Sequence, residues 1–367
     1  SNISEEWILY RSAPEGRSIW EGGSSDILKW EKGIGELSKS PTAYLRNVEQ
    51  WGSNGILFGM MSDLSSTIYS GSAWDTTCCA VIPNNQDYFL PLFCFAKSEQ
   101  FTHEVRLFNQ KISVEVNHFG QVPFDLEKWT IVANEQYPSG LPKPYSDNPT
   151  QWFFHGHPCA SVVWDEESKW TKEGPVRFDD TVLQVAVARL LGYQWPAELD
   201  QAMELADEQR QLVDEVARLN MFADEDGIVC LPAVRGEAPA HTRLEKLLVA
   251  AYEDDWKAGA LDKLLAAVGS KSLELWLRDK FFEQHCKLFQ HRPFIWHIWD
   301  GLKDGFSALV NYHKLDRSGL ERLIYTYLGD WIRIQEQGVK EARDGAEERL
   351  TAAKNLQQRL EAILLGE

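Results

Sequence analysis

The sequence lacks the features of a membrane-spanning or exported chain. No apolar run approaches the roughly 20 residues that a transmembrane helix needs. The N-terminal stretch SNISEEWILY is acidic and carries no apolar signal-peptide region. Six cysteines are present but none forms a C-x-x-C pair, which indicates reduced, buried thiols and not a disulfide scaffold or a zinc site. These absences predict a cytoplasmic protein with no membrane partner.

The chain also lacks the common catalytic motifs. It contains no Gly-rich phosphate loop, no G-x-S-x-G and no H-E-x-x-H. Residues 147–152, DNPTQW, are the nearest match to the D/N-P-P-Y/F motif of amino-methyltransferases, but they lack the second proline and the aromatic residue that follows it. No carboxylate pair is marked by its spacing as an acid and a base. The residues alone therefore favour a recognition or assembly module over a self-sufficient enzyme.

One short cluster, His155-Gly156-His157 with Cys159, raises the question of a metal site. The two histidines are two residues apart on a Gly-Pro loop, and no second Cys/His pair follows at zinc-site spacing. We therefore favour a structural turn over a metal, and we expect no cofactor or metal in this chain.

Positive charge is scarce and unevenly distributed. The net charge is −18. Residues 1–135 hold 10 basic and 17 acidic residues, residues 136–270 hold 12 and 23, and residues 271–367 hold 15 and 15. Because phosphate contacts dominate affinity for nucleic acids, an acidic chain must bind DNA through a local basic face or with a partner that supplies charge.

The order of patterns predicts an α+β protein. Residues 1–135 combine β-like runs such as GILFGMMS and TTCCAVIP with helices near 99–110 and after Asp125, and KISVEV (111–116) alternates like a strand. This mixed α/β module precedes a Pro-rich linker at 136–180 and a mostly helical domain at 181–330. Capping patterns predict helix starts at Asp125, Thr181, Thr242 and Ser318.

The C-terminal residues 331–367 have apolar side chains at seven-residue spacing and predict a long amphipathic helix. A coiled-coil arm, a helical hairpin and a helix packed on its own domain all fit this pattern.

The most unusual stretch is Phe282 to Leu328. It interleaves aromatic rings with histidines, lysines and arginines. Such a mixture suits either a domain core with charged ends reaching solvent or a surface that stacks on nucleic-acid bases. Composition alone does not choose between the two.

Two long segments resemble a known family. Ala73 to Trp129 contains an I-P-x-N turn, an aromatic-rich helix and V-P-F-D-L-x-x-W. His285 to Leu328 contains R-P-F-I-W and G-F-x-A-L-V-x-Y-H. Both are similar to the region after the catalytic domain in large adenine-specific N6 DNA methyltransferases of BREX and DISARM phage defence and of single-chain type II restriction–modification. QWFFHGHP and LQVAVARLLGYQWP look closest to the DISARM type.

The resemblance implies a target-recognition region followed by a helical spacer. The family's S-adenosylmethionine loop and its N-P-P-Y motif are not in this chain, so the resemblance implies that the catalytic residues and that cofactor's site lie outside it. It also implies N6-adenine methylation of double-stranded DNA with base flipping. The implied partners are DNA, the catalytic methyltransferase domain and other defence-system subunits.

Nine residues are candidate DNA contacts. Four lie in the α/β module and five in the aromatic–basic stretch: Arg46, Lys97, Arg106 and Lys111; Arg292, Trp296, Trp299, Lys314 and Arg317. Two other functions stay open. One is a protein-interaction scaffold that docks the methyltransferase to other defence subunits, and the other is an acidic mimic of DNA.

Overall fold

A computed structural model describes residues 7–13, 26–42, 47–61, 63–145, 155–199, 201, 203–289 and 291–366. The strands are β1 (Trp7–Arg11), β2 (Asp26–Lys29), β3 (Gly55–Gly59), β4 (Ser66–Tyr69), β5 (Ala73–Trp74), β6 (Cys78–Val81), β7 (Val162–Asp165), β8 (Trp170–Glu173), β9 (Ile228–Cys230), β10 (Ile295–Trp299) and β11 (Ser307–Asn311).

The helices outnumber the strands in residues and dominate the C-terminal part. They are α1 (Glu36–Lys39), α2 (Phe89–Ala96), α3 (Glu99–Phe108), α4 (Val116–Phe119), α5 (Leu126–Gln136), α6 (Thr181–Leu190), α7 (Pro196–Leu199), α8 (Asp207–Val216), α9 (Ala240–Tyr252), α10 (Ala260–Ala267), α11 (Leu273–Asp279), α12 (Phe281–Leu288), α13 (Arg317–Arg322), a π-helix (Leu323–Leu328), α14 (Gly329–Lys340) and α15 (Ala346–Leu365). The chain is α+β and ends in a long helix, as predicted. Among the helices described, none has the length and apolarity to cross a membrane.

The chain divides into two compact units. Unit 1 comprises Ser1–Phe154, Val162–Glu173 and Asp200–Arg210, and unit 2 comprises His155–Ser161, Gly174–Leu199 and Gln211–Glu367. The stretch predicted as a linker, 136–180, contributes to both units and includes the hairpin β7–β8. The predicted C-terminal helix, 331–367, belongs to the same unit as most of the predicted helical spacer.

Unit 1 contains two three-stranded sheets. In one, β3 lies between β4 and β6 and is antiparallel to both, with Ile56 opposite Ile68 and Val81. In the other, β1 pairs antiparallel with β2 and parallel with β5. Every residue of β3 is buried: its sequence, GILFG, is apolar throughout, and the rings of α3 and α4 pack on Phe58.

Aromatic rings hold the helices of unit 1 against β3. The ring of Phe58 lies 4.8 Å from that of Phe101 on α3 and 5.2 Å from that of Phe119 on α4, measured between centroids. Asp125 caps α5 as predicted, since its carboxylate accepts a bond from the Lys128 amide at 3.0 Å.

The predicted strand at 111–116 is wrong. Only Ser113 forms an isolated bridge, with Met61, and the Val114 amide donates to the Met60 carbonyl at 2.8 Å. The chain then turns into α4 at Val116, which places Phe119 on the ring cluster. Packing of one aromatic side chain thus overrides the alternating pattern.

Unit 2 contains a small antiparallel sheet in the order β10-β11-β9. The central strand, β11, is buried along its whole length. On one face of the sheet, Ile228, Val310 and Ile298 pack in a core that includes Ile324 and Leu328 of the π-helix. The strand β10 lies at the edge of this sheet.

The C-terminal residues form a helical hairpin that packs on its own unit. Helices α14 and α15 run antiparallel, since Gly338 lies beside Ala346 and, further from the turn, Gln335 accepts a bond from Arg349 at 2.9 Å. Of the arrangements that fit the seven-residue pattern, the helical hairpin is the one observed, and its turn contains Ala342 and Gly345, which have positive φ. The seven-residue pattern still marks the buried side: Ile332, Ala346, Ala353 and Leu360 are all buried.

Candidate nucleic-acid interface

The strand β10 presents two tryptophans on opposite faces of the sheet. Successive side chains of a strand alternate in direction, so Trp296 and Trp299, three residues apart, point to different sides. Both are exposed, at 42% and 47%. The two rings grouped as candidate contacts in the sequence therefore do not form one continuous surface.

Trp296 is part of a stacked ring pair. Its partner is Tyr312, which follows β11 and bonds through its amide to the Phe294 carbonyl at 2.9 Å. The two ring centroids are 5.2 Å apart with an interplanar angle of 25°, and Tyr312 is 51% exposed. We call Trp296 and Tyr312 the ring pair. Aromatic faces open to solvent can stack on another planar group.

A continuous series of ring contacts connects the ring pair to the interior of unit 2. Tyr312 contacts His313 at 5.8 Å, and His313 contacts Tyr193 at 5.8 Å and Phe294 at 6.3 Å. Phe294 in turn lies 4.8 Å from His285, which is fully buried. Tyr312, and through it the ring pair, therefore packs against a cluster of aromatic rings that extends to the interior of unit 2.

His285 fixes the start of β10. Its Nε2 accepts a bond from the Ile295 amide at 3.2 Å, and its Nδ1 lies 3.1 Å from Oε1 of Gln184. These partners require a neutral imidazole with the proton on Nδ1. Burial lowers the pKa of His285 to about 3, so the ring stays neutral at physiological pH.

Trp299 has a different neighbour. Its ring stacks on His297 at 6.1 Å and 23°. His297 is bonded through Nε2 to Oγ of Ser307, and burial lowers its pKa to about 4. Like His285, this histidine is a neutral structural group and not an acid or a base poised near neutral pH.

Among the cations of this segment, Lys314 has an exposed side chain whose ammonium is bound to backbone carbonyls of the same unit. Its ammonium donates to the carbonyls of Asp224 and Glu225 at 3.2 and 3.3 Å. Its side chain passes close to Gly192 and Gly227, where a Cβ would lie within 3.0 Å of it. This geometry makes Lys314 a structural link between distant turns.

Arg292 and Arg317 are exposed. Arg292 lies in the turn that leads into β10, and its amide bonds to the Phe289 carbonyl at 2.9 Å. Arg317 is 73% exposed at the start of α13 and pairs with Glu321 at 3.2 Å. Exposed ion pairs of this kind hold a side chain weakly, so the guanidinium of Arg317 remains available to an anion.

The candidate DNA contacts of unit 1 also include both a cation bound to backbone carbonyls and an exposed one. Lys97 donates to the Ser66 carbonyl at 2.7 Å and lies over the Phe93 ring, so it ties α2 to β4. Arg106 donates to the Lys111 carbonyl, and the Lys111 side chain is exposed. Arg46 lies outside the described residues.

Around Lys111, unit 1 exposes a group of apolar side chains whose exposure no sequence pattern indicated. We call them the loop patch; they are Leu107, Phe108, Ile112 and Val116. Helical spacing predicts Phe108 on the same buried face as Phe101 and Val105, but α3 ends at Phe108 and its ring is half exposed. Exposed apolar clusters of this kind are typical of contact surfaces.

The histidines at 155 and 157 form a buried turn. Nδ1 of His155 accepts the His157 amide at 2.8 Å, and Nδ1 of His157 accepts the amide of Ala160 at 3.1 Å. Burial lowers the pKa of both rings, that of His157 to about 3. Within the described residues, no group of three or more His, Cys, Asp or Glu side chains is placed to hold a metal ion.

A second feature that the sequence did not indicate is a carboxylate pair in the turn before β9. Asp224 pairs with Arg243 at 2.9 Å, and Asp226 pairs with Arg322 at 3.0 Å and accepts a bond from the Tyr327 hydroxyl. Burial, together with the bond and the charge of Asp226, raises the pKa of Asp224 to about 6. The two carboxylates connect this turn to α9, α13 and the π-helix, and each has a cationic partner within unit 2.

The chain matches no model of a known protein family and no curated protein sequence. The resemblance to adenine-specific methyltransferases therefore stays a prediction.

Proposed function

We propose that this chain is the DNA target-recognition region of a site-specific adenine N6 methyltransferase from a phage-defence or restriction–modification system. In this proposal it acts in the cytoplasm on double-stranded DNA, beside a catalytic domain that binds S-adenosylmethionine. The resemblance of Ala73–Trp129 and His285–Leu328 to such enzymes supports the proposal.

The observation that carries the proposal is the exposed ring pair. Trp296 and Tyr312 are stacked on each other and half exposed, although most large aromatic side chains of unit 2 are buried or partly buried. Arg292 and Arg317 are exposed in the same segment, which belongs to the one charge-balanced third of the sequence. Rings combined with cations are the usual elements of a nucleic-acid surface.

Binding and methylation measurements test this proposal. We expect the chain to shift a DNA duplex in a gel at low salt and to lose affinity as salt rises. In the full-length enzyme, Arg292→Ala should reduce methylation, whereas Arg359→Ala, which removes a charge from an exposed position of α15, should not. Absence of binding to any DNA, together with unchanged methylation by Arg292→Ala, would contradict the proposal.

The loop patch favours a second function, a scaffold that docks the methyltransferase to other defence subunits. Its four apolar side chains are exposed on one loop and the adjoining helix ends. We expect Ile112→Glu to abolish capture of such a subunit, and Ile131→Glu, at an exposed position of α5, to leave it unchanged. Equal capture by both variants would count against the scaffold. Deletion of the C-terminal hairpin would not test the scaffold function, because it removes the core residues Trp331 and Leu356 and would unfold unit 2.

A further inference from the structure

The edge strand β10 turns part of its backbone away from its sheet. On the side of β11, the Asp300 amide donates to the Phe306 carbonyl at 3.0 Å. In an antiparallel pair, residues that bond to the neighbouring strand alternate with residues whose amide and carbonyl point the other way. The backbone groups of Ile295, His297 and Trp299 therefore point to the outer side of the sheet.

This outer edge is covered at one end and open at the other. The Ile295 amide donates to Nε2 of His285 at 3.2 Å, so α12 occupies the first end. Among the residues that the structure describes, none bonds to the outward amides and carbonyls of His297 and Trp299. Trp299 is also exposed. These two residues thus present the donors and acceptors with which a further strand pairs.

The edge strand β4 of unit 1 shows the opposite arrangement. The Ser66 carbonyl accepts a bond from the Lys97 ammonium at 2.7 Å, and the Ile68 carbonyl accepts one from the Arg11 guanidinium at 3.1 Å. Charged side chains placed against an edge prevent pairing with another chain. The sequence of β10, IWHIW, contains no charged residue and no proline, so this strand lacks such protection.

We propose that β10 pairs antiparallel with β10 of a second copy of this chain, around a two-fold axis that passes through Ile298. In this register His297 lies opposite Trp299 of the partner subunit, and each such pair exchanges both of its backbone bonds. The symmetric interface therefore has four backbone hydrogen bonds. The proposal does not depend on the proposed function, because it uses the backbone of the strand and not the ring pair.

The geometry of the edge favours a second copy over a foreign strand. Its two open residues flank Ile298, so the symmetric register uses both of them and does not need the Ile295 amide, which His285 already occupies. The register also places the Trp299 ring of each copy opposite the His297 ring of the other. Aromatic rings directly opposite each other stabilise neighbouring strands.

The distribution of charge is consistent with self-association at this strand. The net charge of −18 makes contact between two copies unfavourable over most of the surface. Residues 271–367, which include β10, hold equal numbers of basic and acidic residues. Because a two-fold interface uses the open edge of both copies, assembly stops at the dimer.

Equilibrium sedimentation of the full chain tests the proposal between about 1 and 500 μM, the range in which small interfaces associate. We expect a dimer whose fraction rises with concentration. Trp299→Pro removes an amide that the sheet itself does not use, and it should weaken the dimer about 5- to 150-fold, as the loss of one hydrogen bond from each copy predicts. Trp299→Phe keeps the amide and an aromatic ring, and it should associate as the wild type does.

Disulfide trapping locates the axis without relying on the proline variant. Ile298 lies opposite Ile298 of the partner subunit in a pair that is not hydrogen-bonded, where Cα atoms are about 4.5 Å apart and within the range of a disulfide. Mild oxidation of Ile298→Cys should therefore give a covalent dimer. Trp296→Cys is the matched control, because its counterpart lies four residues, about 13 Å, further along the partner strand.

Each outcome decides for or against the proposal. A covalent dimer from Ile298→Cys and none from Trp296→Cys or the wild type would support it. A chain that stays monomeric at every concentration would overturn it and leave the proposed function standing. Equal cross-linking of Ile298→Cys and Trp296→Cys, or a dimer that a folded Trp299→Pro does not weaken, would show that the copies associate through another surface and would overturn the assignment to β10.

Discussion

Lys314 is the residue for which sequence and structure predict different results. The sequence makes it a candidate DNA contact, whereas the structure directs its ammonium to the carbonyls of Asp224 and Glu225. Lys314→Met keeps the length of the side chain beside Gly192 and Gly227 but removes the ammonium. We therefore expect a loss of stability with no direct effect on DNA affinity.

The magnitude follows from the two hydrogen bonds. Bonds that involve a charged group contribute about 1.5–3 kcal/mol each when they are short and buried. These two are long, at 3.2 and 3.3 Å, and the side chain is exposed, so solvent competes for both carbonyls. We expect Lys314→Met to lower the free energy of unfolding by about 1 kcal/mol in total.

Urea denaturation and the salt dependence of DNA binding give the two readouts. For Lys314→Met, the urea midpoint should fall while the slope of log K against log[salt] stays as in the wild type. For the matched variant Arg317→Met, stability should change by less than about 0.5 kcal/mol. If Arg317 contacts a phosphate, its slope should decrease in magnitude by about 1. A Lys314→Met variant that is as stable as the wild type and whose salt slope decreases in magnitude by about 1 would contradict the structural role of Lys314.

Acid should destabilise unit 2. Burial lowers the pKa of His157 and His285 to about 3 in the folded state, and it also lowers the pKa of His155. The stability that these neutral rings contribute is therefore complete above the unfolded pKa of 6.5 and decreases as pH falls below it. Urea unfolding at pH 7, 6 and 5 should show a free energy of unfolding that decreases toward acid. His285→Gln should reduce the slope of this free energy against pH by up to about 1.4 kcal/mol per pH unit, and His103→Gln, at an exposed position, is the control. An identical slope in the wild type and in His285→Gln would contradict the role of His285 as a buried neutral ring. In the C-terminal hairpin, Ala353→Leu should destabilise the chain by about 1–3 kcal/mol, because Ala353 is completely buried and overpacking a buried position is costly. An unchanged urea midpoint would show that the hairpin is loosely packed at this position.

The general architecture could be predicted because it depends on local signals. The apolar run of β3 and the Asp125 cap of α5 both form where the sequence places them. The predicted cap at Ser318 is wrong by two residues, since Asp316 accepts the Gly319 amide at 2.7 Å. Both residue types are good N-caps, and the observed bond places the helix start after Asp316.

The candidate site was harder to predict because its geometry depends on contacts between distant residues. Trp296 and Trp299, three residues apart, would share one side of a helix but lie on opposite sides of a strand. The alternating runs IWHIW and SALVN around the glycine-containing turn at 300–306 are the signal that could have revealed the hairpin and hence the Trp296–Tyr312 stack. The bond from Lys314 to the Asp224 carbonyl spans 90 residues, and no local pattern indicates it.

Photochemical cross-linking shows directly whether bound DNA lies against the ring pair. DNA duplexes that carry 5-iodo-deoxyuridine at different positions are irradiated with the full chain, and each adduct is located by mass spectrometry. The chain contains 15 tryptophans and 11 tyrosines, which serve as internal controls. We predict a cross-link to Trp296 or Tyr312 and none to Trp299. Cross-links distributed over other aromatic residues, or no cross-link at low salt, would contradict the assignment of the ring pair as the surface that binds DNA.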